Sequence, residues 1–428
     1  MNEFYDVLET RDPEVREAAL IAALPAQIAR AQASSRAMAE ILCGVDAQAI
    51  TSRAALARLP VTRKGELFER QKAARAAGGD PFGGFAAIGW RGLVRGRGAR
   101  RVFQSPGPIY EPQGEARDYW RVARALFAAG FRSGDLIHNS FSYHLTPAGS
   151  MMETGALAIG CAVFAGGIGN TELQLQAIAD LKPHGYIGTP SFLKILLEKS
   201  AESGVAMTSI TKALLGAEAF PPSLRDWMAE RGVAGYQSYA TADLGLIAYE
   251  TESREGLLLG EGVVVEIVRP GTGDPVPEPK AGQTSEVGEI VVTSLNPDYP
   301  LVRFGTGDLS AILPGRCPTG RTAPRIRGWL GRADQTAKVR GMFVHPSQVA
   351  EIVRRHPEVQ RARLVIEGEM ANDRMTLRVE TSSRPEGLPA RIAATIRDVT
   401  KLRGEVELLG AGALPNDGKV IEDARSYR

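Results

Sequence analysis

The chain has 428 residues, of which 44% are hydrophobic and 23% are charged, and its formal net charge at pH 7 is +2. This length allows two or three domains with a large buried core. The near-neutral charge gives no electrostatic argument for nucleic acid or a membrane as the main partner. Three widely spaced cysteines, Cys43, Cys161 and Cys317, argue against a disulfide framework and favour a reducing compartment.

The N-terminal region is predicted to be helical. Residues 1–19 are charged and acidic, unlike a secretory signal, so we expect a cytoplasmic protein. Residues 12–43 are predicted to form a helical layer, because Asp12 is a suitable N-cap, Pro13 suits the first helical position, and apolar residues recur at helical spacing.

The next distinctive segment is "QSPGPIYEPQG" (104–114), predicted as a small-residue loop. The run "RVF" (101–103) before it predicts a strand, and residues 115–130 after it predict a helix. Many nucleotide-binding enzymes carry a phosphate loop between a strand and a helix. This loop differs from the usual phosphate loop because it contains three prolines and a glutamate and has no lysine.

From about residue 135 to residue 240, short apolar runs alternate with helical segments. Strand–helix repeats of this kind, about 25–30 residues long, imply right-handed crossovers and a mostly parallel sheet. The most membrane-like stretch (155–169) is short, is interrupted by glycines and follows Glu153. It is therefore predicted to be a buried helix–turn–strand and not a membrane span.

Past residue 245 the helical pattern disappears. The runs "LGLIAYE" (244–250), "LLLGEGVVVEIVRP" (257–270) and "VGEIVVTSL" (287–295) predict antiparallel strands of a small barrel-like subdomain. A polar segment (331–341) then leads into a compact region in which helical and strand patterns alternate.

These patterns predict two domains. Residues 1–330 form a large α/β domain, with parallel sheets, helices and the antiparallel barrel-like subdomain. Residues 331–428 form a smaller α+β domain.

Three polar segments follow one another in the second half of the chain. They are "PLVRFGTGDLS" (300–310), which on its own predicts a turn holding Asp308, "GWLGRADQTAKVRGMFVHPSQVAEIV" (328–353), and "NDGKVI" (416–421), which contains Lys419. In this order they resemble the adenylate-forming enzymes, the superfamily of acyl-CoA synthetases, luciferases and adenylation domains. The whole chain is most similar to the phenylacetate–CoA ligase branch. The resemblance implies an enzyme, an AMP-forming acid–thiol ligase, whose C-terminal domain is a mobile lid.

The resemblance assigns the nucleotide site. Asp308 matches the carboxylate that binds both ribose hydroxyls, and Arg332 matches a second ribose or phosphate contact. In "YATAD", Tyr239 matches the residue that stacks on adenine, and Asp243 takes the place of a catalytic glutamate that holds Mg²⁺. The turn "GAE" matches the lining of the adenine and acyl pocket, and its residues are Gly216, Ala217 and Glu218.

The resemblance also assigns the acid pocket and the catalytic lysine. In "FSYHLTPAG", Tyr143, His144 and Gly149 match the wall of the carboxylate pocket. Lys419 matches the catalytic lysine that neutralises charge while the carboxylate attacks the α-phosphate.

Three further residues match the lid of this family. Asp334 matches the hinge about which the C-terminal domain rotates. Arg340 and Gly341, in "VRGMFVHPSQ", match the segment beside the CoA channel.

The chain departs from the family in the phosphate loop. Ser105 and Gly107 are retained as a donor and a flexible point, together with Tyr110, but each proline removes one N–H group. Two interpretations of the preceding basic run are open. Either its arginines supply the positive charge that the loop lacks, or they belong to a solvated hairpin. Those arginines are Arg97, Arg100 and Arg101.

Two functions are compatible with these features. The first is an ATP-dependent carboxylate–CoA ligase that forms an acyl-AMP and then an acyl-CoA thioester from an aryl or related acid, with ATP, Mg²⁺ and CoA as cofactors. The second is a catalytically weakened paralogue that binds AMP, acyl-AMP or CoA without turnover. Retained Asp308, Arg332 and Lys419 favour the ligase, whereas the altered loop and Ala242 favour the paralogue.

The expected partners are the small-molecule acid, ATP and CoA, with neither nucleic acid nor a membrane, and a homodimer is left open. Zinc is not expected, because Cys317 alone cannot form a tetrahedral site. A nicotinamide-dependent enzyme is the weaker alternative, because "GGIGNTE" (166–172) lacks the third glycine of a dinucleotide fingerprint.

Overall fold

The computed structural model describes residues 3–90, 98–270, 272–277, 285–330, 332–333, 337–340, 342–344, 346–368, 373–415 and 419–425. The chain divides into two compact units, Met1–Gly331 and Arg332–Arg428. No helix among these residues is long and apolar enough to cross a lipid bilayer.

The helices within the described ranges are α1 (Pro13–Ser34), α2 (Arg36–Ile41), α3 (Arg53–Ala57), α4 (Lys64–Ala76), α5 (Ala123–Ala128), α6 (Ala148–Ala158), α7 (Thr171–Leu181), α8 (Pro190–Ser203), α9 (Pro222–Ala229), α10 (Pro346–Arg355) and α11 (Leu388–Thr400). The strands are β1 (Thr62–Arg63), β2 (Arg101–Ser105), β3 (Ile109–Gln113), β4 (Leu136–Asn139), β5 (Ala162–Ala165), β6 (Gly185–Gly188), β7 (Lys212–Leu215), β8 (Ala234–Thr241), β9 (Gly245–Glu250), β10 (Leu257–Leu259), β11 (Val263–Val268), β12 (Gly288–Ser294), β13 (Phe304–Ser310), β14 (Ile312–Leu313), β15 (Arg325–Ile326), β16 (Ala337–Val339), β17 (Met342–Val344), β18 (Arg361–Glu367), β19 (Arg374–Glu380), β20 (Glu405–Leu409) and β21 (Ile421–Asp423).

A nine-stranded sheet forms the centre of the first unit, in the order β14-β15-β10-β9-β8-β7-β6-β4-β5. Five neighbouring strands of this sheet, in the order β8-β7-β6-β4-β5, are parallel, because a helix connects each strand to the next one in the chain. The alternation of apolar runs and helices from residue 135 to 240 therefore predicted the parallel sheet correctly. The stretch 155–169 is the end of α6, a turn and β5, although β5 lies at the sheet edge and is only partly buried.

Local signals explain where several helices begin and end. The Asp12 side chain accepts hydrogen bonds from the backbone N–H groups of Glu14 and Val15, which caps α1. α8 begins with Pro190 after the Thr189 side chain, which accepts a hydrogen bond from Phe192 N, and it ends at Gly204 in the left-handed region. The predicted N-terminal helical layer is confirmed as α1 and α2.

The antiparallel region differs from the prediction. β9 and β10 do not belong to a separate barrel, because they extend the nine-stranded sheet beyond β8. β11, β12 and β13 form a second sheet of four strands, whose edge strand β1 pairs in parallel with β13. The run 257–270 is divided between these two sheets, as β10 and β11. The apolar side of the second sheet packs against α1 and its neighbouring helices.

The segment around the predicted phosphate loop also differs. Residues 101–113 form a hairpin of β2 and β3, which we call the phosphate hairpin, and its turn lies at residues 106–108. The helix predicted over 115–130 is wrong for its first half, because only α5 is helical. The Asp118 carboxylate accepts hydrogen bonds from Val122 N at 2.9 Å and Ala123 N at 3.0 Å, which places the helix start there.

The second unit is the smaller α+β domain. Its sheet has the order β20-β19-β18-β21, with β18 and β19 antiparallel and the two outer pairs parallel. α10 and α11 contribute Ile352, Ile392 and Ile396 to a core that they share with β18 and β19. The hairpin of β16 and β17 precedes this sheet in the chain.

Candidate active site

Asp308 lies in strand β13 and not in the turn that the sequence suggested. The pairing of β12 with β13 shifts between Glu289 and Val291, so β13 bulges near Gly307, whose backbone φ is +74°. A bulge re-aims the side chains beside it. The buried Asp308 carboxylate accepts a hydrogen bond from the Tyr239 hydroxyl at 2.8 Å and one from Trp329 Nε1 at 3.0 Å. Two aromatic donors thus hold the carboxylate in one orientation.

Asp243 lies in the three-residue loop between β8 and β9. Its side chain is buried, and Oδ2 accepts a hydrogen bond from Lys64 Nζ at 2.7 Å. Its other oxygen, Oδ1, is buried and has no hydrogen-bond partner among the residues that the structure describes. An orphaned carboxylate oxygen suits a hard cation such as Mg²⁺.

Glu111 projects from β3 of the phosphate hairpin and is completely buried. Its carboxylate accepts hydrogen bonds from the Ser105 hydroxyl and, at 3.3 Å, from Ser105 N. Burial raises the pKa of Glu111 to about 8, and the neighbouring Asp243 charge adds to the rise, while Lys64 and the Ser105 bonds oppose it. Ser105, a predicted phosphate donor, is therefore bonded to an acid of its own hairpin, whereas Gly107 is exposed at the hairpin turn.

The basic run before the hairpin has local partners in its described part. Arg100 forms an ion pair with Glu115 on the surface, and the Arg101 guanidinium donates to the Ser150 hydroxyl. Arg97 lies outside the described residues. Of the two interpretations of this basic run, these contacts favour the solvated hairpin for Arg100. Lys64 is a cation beside Asp243 that sequence reasoning did not identify.

The turn after β7 carries the residues assigned to the adenine and acyl pocket. Gly216 is buried, and a Cβ atom there would lie 2.9 Å from Ser238 Oγ, which itself donates to Leu215 O at 3.2 Å. Ala217 is exposed and has a φ of +66°, which is uncommon for a residue with a side chain. The Glu218 carboxylate accepts a hydrogen bond from Ser191 N at 3.3 Å.

The predicted acid-pocket segment lies between β4 and α6. The half-buried Tyr143 hydroxyl accepts a hydrogen bond from Asn139 Nδ2 at 2.8 Å, and burial, followed by Glu153, raises its pKa. Gly149 lies against Tyr143, because a Cβ atom at this position would be 2.9 Å from the ring. His144 is exposed. Gln104 N of the phosphate hairpin donates to Leu145 O at 2.7 Å, which joins the two segments.

The remaining predicted residues belong to the second unit. Arg332 is its first residue, and Lys419 is exposed just before β21. Arg340 lies in the turn between β16 and β17, where its backbone N–H donates to Asp373 Oδ2 at 3.0 Å and Nη2 donates to Asp373 O at 2.8 Å. Asp334 and Gly341 lie outside the described residues.

Cys317 is buried and free, and its Sγ lies 3.1 Å from Thr319 Oγ1 and 3.6 Å from Thr251 Oγ1. Within the described ranges, no group of three or more histidine, cysteine or acidic side chains is arranged to hold a metal ion. The polar side-chain groups that contact the Cys317 sulfur are hydroxyls.

Sequence reasoning did not identify three residues of the proposed site, which are Lys64, Glu111 and Trp329. Only Glu111 had a signal, because an acidic residue is unusual in a phosphate loop. The others are brought to the site by the fold, as with Lys64 and Asp243, which are 179 positions apart.

Comparison with known proteins agrees with the fold. The family described as AMP-binding enzymes matches residues 120–296. Phenylacetate-coenzyme A ligase of Thermus thermophilus is 31% identical over 87% of this chain and 87% of that protein. The ligase of the same name from Aromatoleum evansii is 30% identical over 79% of this chain and 74% of that protein. A crystal structure of 2-hydroxyisobutyryl-CoA ligase with 2-HIB-AMP and CoA superposes with a TM-score of 0.81 at 23% identity, covering 98% of this chain and 92% of that one.

The fold and the relatives together define the class: the chain belongs to the adenylate-forming, AMP-binding ligases, a family that uses ATP and CoA. Within that superfamily it belongs to the phenylacetate–CoA ligase-like branch, and it is an AMP-forming acid–CoA ligase by class.

Proposed function

We propose that the protein converts an aryl or related carboxylic acid, ATP and CoA into an acyl-CoA, AMP and pyrophosphate through an acyl-AMP. The observation that supports this proposal is the buried Asp308 carboxylate, oriented by Tyr239 and Trp329, in a chain whose relatives are named phenylacetate–CoA ligases. A carboxylate held in this way offers two oxygens to the two ribose hydroxyls.

The decisive experiment is isotope exchange between pyrophosphate and ATP, measured across a panel of aryl and short acyl acids. We expect exchange with at least one aryl acid, followed by acyl-CoA formation when CoA is added. If no acid supports exchange while calorimetry detects AMP binding, the nucleotide-binding paralogue is the better description. The family membership supports turnover.

We propose that Mg²⁺ binds at Asp243, whose orphaned Oδ1 fits a hard oxygen-seeking cation. The ion would bring positive charge to the ATP phosphates. Ser105 and Gly107 of the phosphate hairpin, Tyr239, and the turn of Gly216, Ala217 and Glu218 complete the proposed nucleotide site.

Replacing Lys64 should weaken ATP binding more than AMP binding, because AMP lacks the outer phosphates beside which we place this ammonium. We expect Lys64→Met to raise the KM for ATP about tenfold, which corresponds to about 1.4 kcal/mol. Arg100→Gln should leave this KM unchanged, since Arg100 pairs with Glu115 at the surface. Lys72→Met is the matched control on α4, because Lys72 is exposed and pairs with Glu69. An equal loss of ATP and AMP affinity in Lys64→Met would remove Lys64 from the phosphate end of the site.

We propose that Tyr143, His144 and Gly149 border the acid. Gly149→Ala should raise the KM for the acid several-fold with little change for ATP, because its methyl group would lie 2.8 Å from Ser142 O and 2.9 Å from the Tyr143 ring. Initial rates with each substrate varied in turn provide the measurement. Gly410→Ala is a matched control, since a Cβ there meets no described atom within 4 Å. A rise in the KM for ATP instead of the acid would contradict this assignment.

The residues of the second unit have proposed roles that follow from the family pattern. Lys419 supports acyl-AMP formation, Arg332 contacts the ribose or a phosphate, Asp334 is the hinge, and Arg340 and Gly341 flank CoA. We also propose a mobile lid formed by residues 331–428.

We place the enzyme in the cytoplasm, because ATP and CoA are available there and its three free cysteines suit a reducing compartment. The proposed cofactors do not include zinc. A homodimer is compatible with this assignment, and gel filtration with light scattering would test it.

A further inference from the structure

Glu111 has no role in the reaction as proposed above, although it is completely buried in the phosphate hairpin. Its carboxylate is anchored by the Ser105 hydroxyl and backbone N–H. Gln71 of α4, the helix that begins at Lys64, holds the hairpin beside that helix, because its side chain donates to Tyr110 O and accepts from Tyr110 N, each at 2.8 Å. The Asp243 charge adds to the rise in the pKa of Glu111 and the Lys64 charge opposes it. A buried acid costs free energy unless a partner compensates its charge.

Once Glu111 is ionised, the charges of Glu111, Asp243 and Lys64 do not balance. When both acids are ionised, the two carboxylates of Glu111 and Asp243 face the single ammonium of Lys64, which already contacts Asp243 Oδ2 at 2.7 Å. Asp243 Oδ1 and the Tyr299 hydroxyl are both buried without a hydrogen-bond partner among the described residues. Burial, followed by the charges of Asp243 and Glu111, raises the pKa of the Tyr299 hydroxyl well above its usual value.

We propose that Asp243 and Glu111 together bind the divalent cation, with Glu111 as a second carboxylate ligand contributed by the phosphate hairpin. Hard divalent cations take carboxylate oxygens as ligands, and Mg²⁺ is commonly bound through one or two carboxylates together with substrate phosphates. The cation would compensate the excess negative charge and occupy the side of Asp243 that Lys64 leaves open.

A second carboxylate has a functional consequence. With one protein carboxylate the ion depends mainly on the ATP phosphates for its ligands, whereas with two it can bind before ATP arrives. The phosphate hairpin would then attract the ATP phosphates through the bound cation in place of a loop lysine. The proposal deepens the proposed function, since it concerns the same ion at Asp243.

The test measures Mn²⁺ binding to nucleotide-free protein, using the loss of the free-ion signal in electron paramagnetic resonance. We expect one Mn²⁺ per chain, weakened roughly 10–100-fold in Glu111→Gln and in Asp243→Asn. Glu115→Gln is the matched control, because this acid follows the same hairpin but pairs with Arg100 on the surface, and its Mn²⁺ binding should equal that of the wild type. As a second readout, MgCl2 should raise the thermal unfolding midpoint of the wild type and not that of Glu111→Gln.

Two results would overturn the proposal. Wild-type affinity for Mn²⁺ in a folded Glu111→Gln variant would assign the ion to Asp243 alone, and absence of binding to the nucleotide-free wild type would show that the acids hold no cation by themselves. If Glu111→Gln does not fold, Glu111→Ala also removes the carboxylate, and unchanged Mn²⁺ affinity in that variant has the same meaning. Pyrophosphate exchange distinguishes failure of the cation site from failure of the proposed function. Exchange activity without Mn²⁺ binding to the nucleotide-free protein would support the ligase and contradict the two-carboxylate cation site. Mn²⁺ binding without exchange activity would support the cation site and contradict the ligase.

Discussion

Lys419→Ala should abolish acyl-AMP formation and leave thioester formation from supplied acyl-AMP nearly intact. In the role that we propose for it, the Lys419 ammonium acts only while the carboxylate attacks the α-phosphate, where negative charge develops. Removal of one such group typically costs about 10²–10³ in rate. Pyrophosphate exchange measures the first half-reaction, and CoA consumption with synthetic acyl-AMP measures the second.

Because Lys419 is exposed before β21, we expect Lys419→Ala to fold like the wild type, so that a loss of acyl-AMP formation reflects the missing ammonium. Lys401→Ala is a matched control, because this lysine is exposed in the same unit, pairs with Asp398 and has no proposed catalytic role. Equal damage to both half-reactions in Lys419→Ala would contradict a lysine that serves adenylation alone, and with it the proposal of a mobile lid.

Asp308→Ala should weaken ATP and AMP together, because both nucleotides carry the ribose. A hydrogen bond to a charged group contributes about 1.5–3 kcal/mol, so the loss of a single bond lowers affinity roughly 10–100-fold. Calorimetry with AMP measures the effect without turnover.

Two variants sharpen this experiment. Tyr239→Phe removes the donor to Oδ2 and keeps the carboxylate, so it should weaken AMP less than Asp308→Ala does. Asp226→Ala on the surface of α9 should have no effect. Unchanged AMP affinity in a folded Asp308→Ala variant would remove Asp308 from the ribose site.

Features that depend on neighbours along the chain were predictable from the sequence. Capping by Asp12, the proline and glycine at the ends of α8, and the alternation of apolar runs with helices each act within a few residues, and together they gave the helical layer and the parallel sheet. The order of the motifs around Asp308, Arg332 and Lys419 was sufficient to indicate the adenylate-forming class, which the relatives confirm.

Only the tertiary structure decided which sheet received each antiparallel strand and which side chains surround the candidate site. β9 and β11 have similar apolar patterns, but β9 folds back on β8 through a three-residue loop while β11 pairs with β12 in another sheet. The cluster of Lys64, Glu111 and Asp243 combines a helix, a hairpin and a loop that are far apart in sequence. Periodicity records which face of an element is buried, and it contains no information about which distant polar groups meet there.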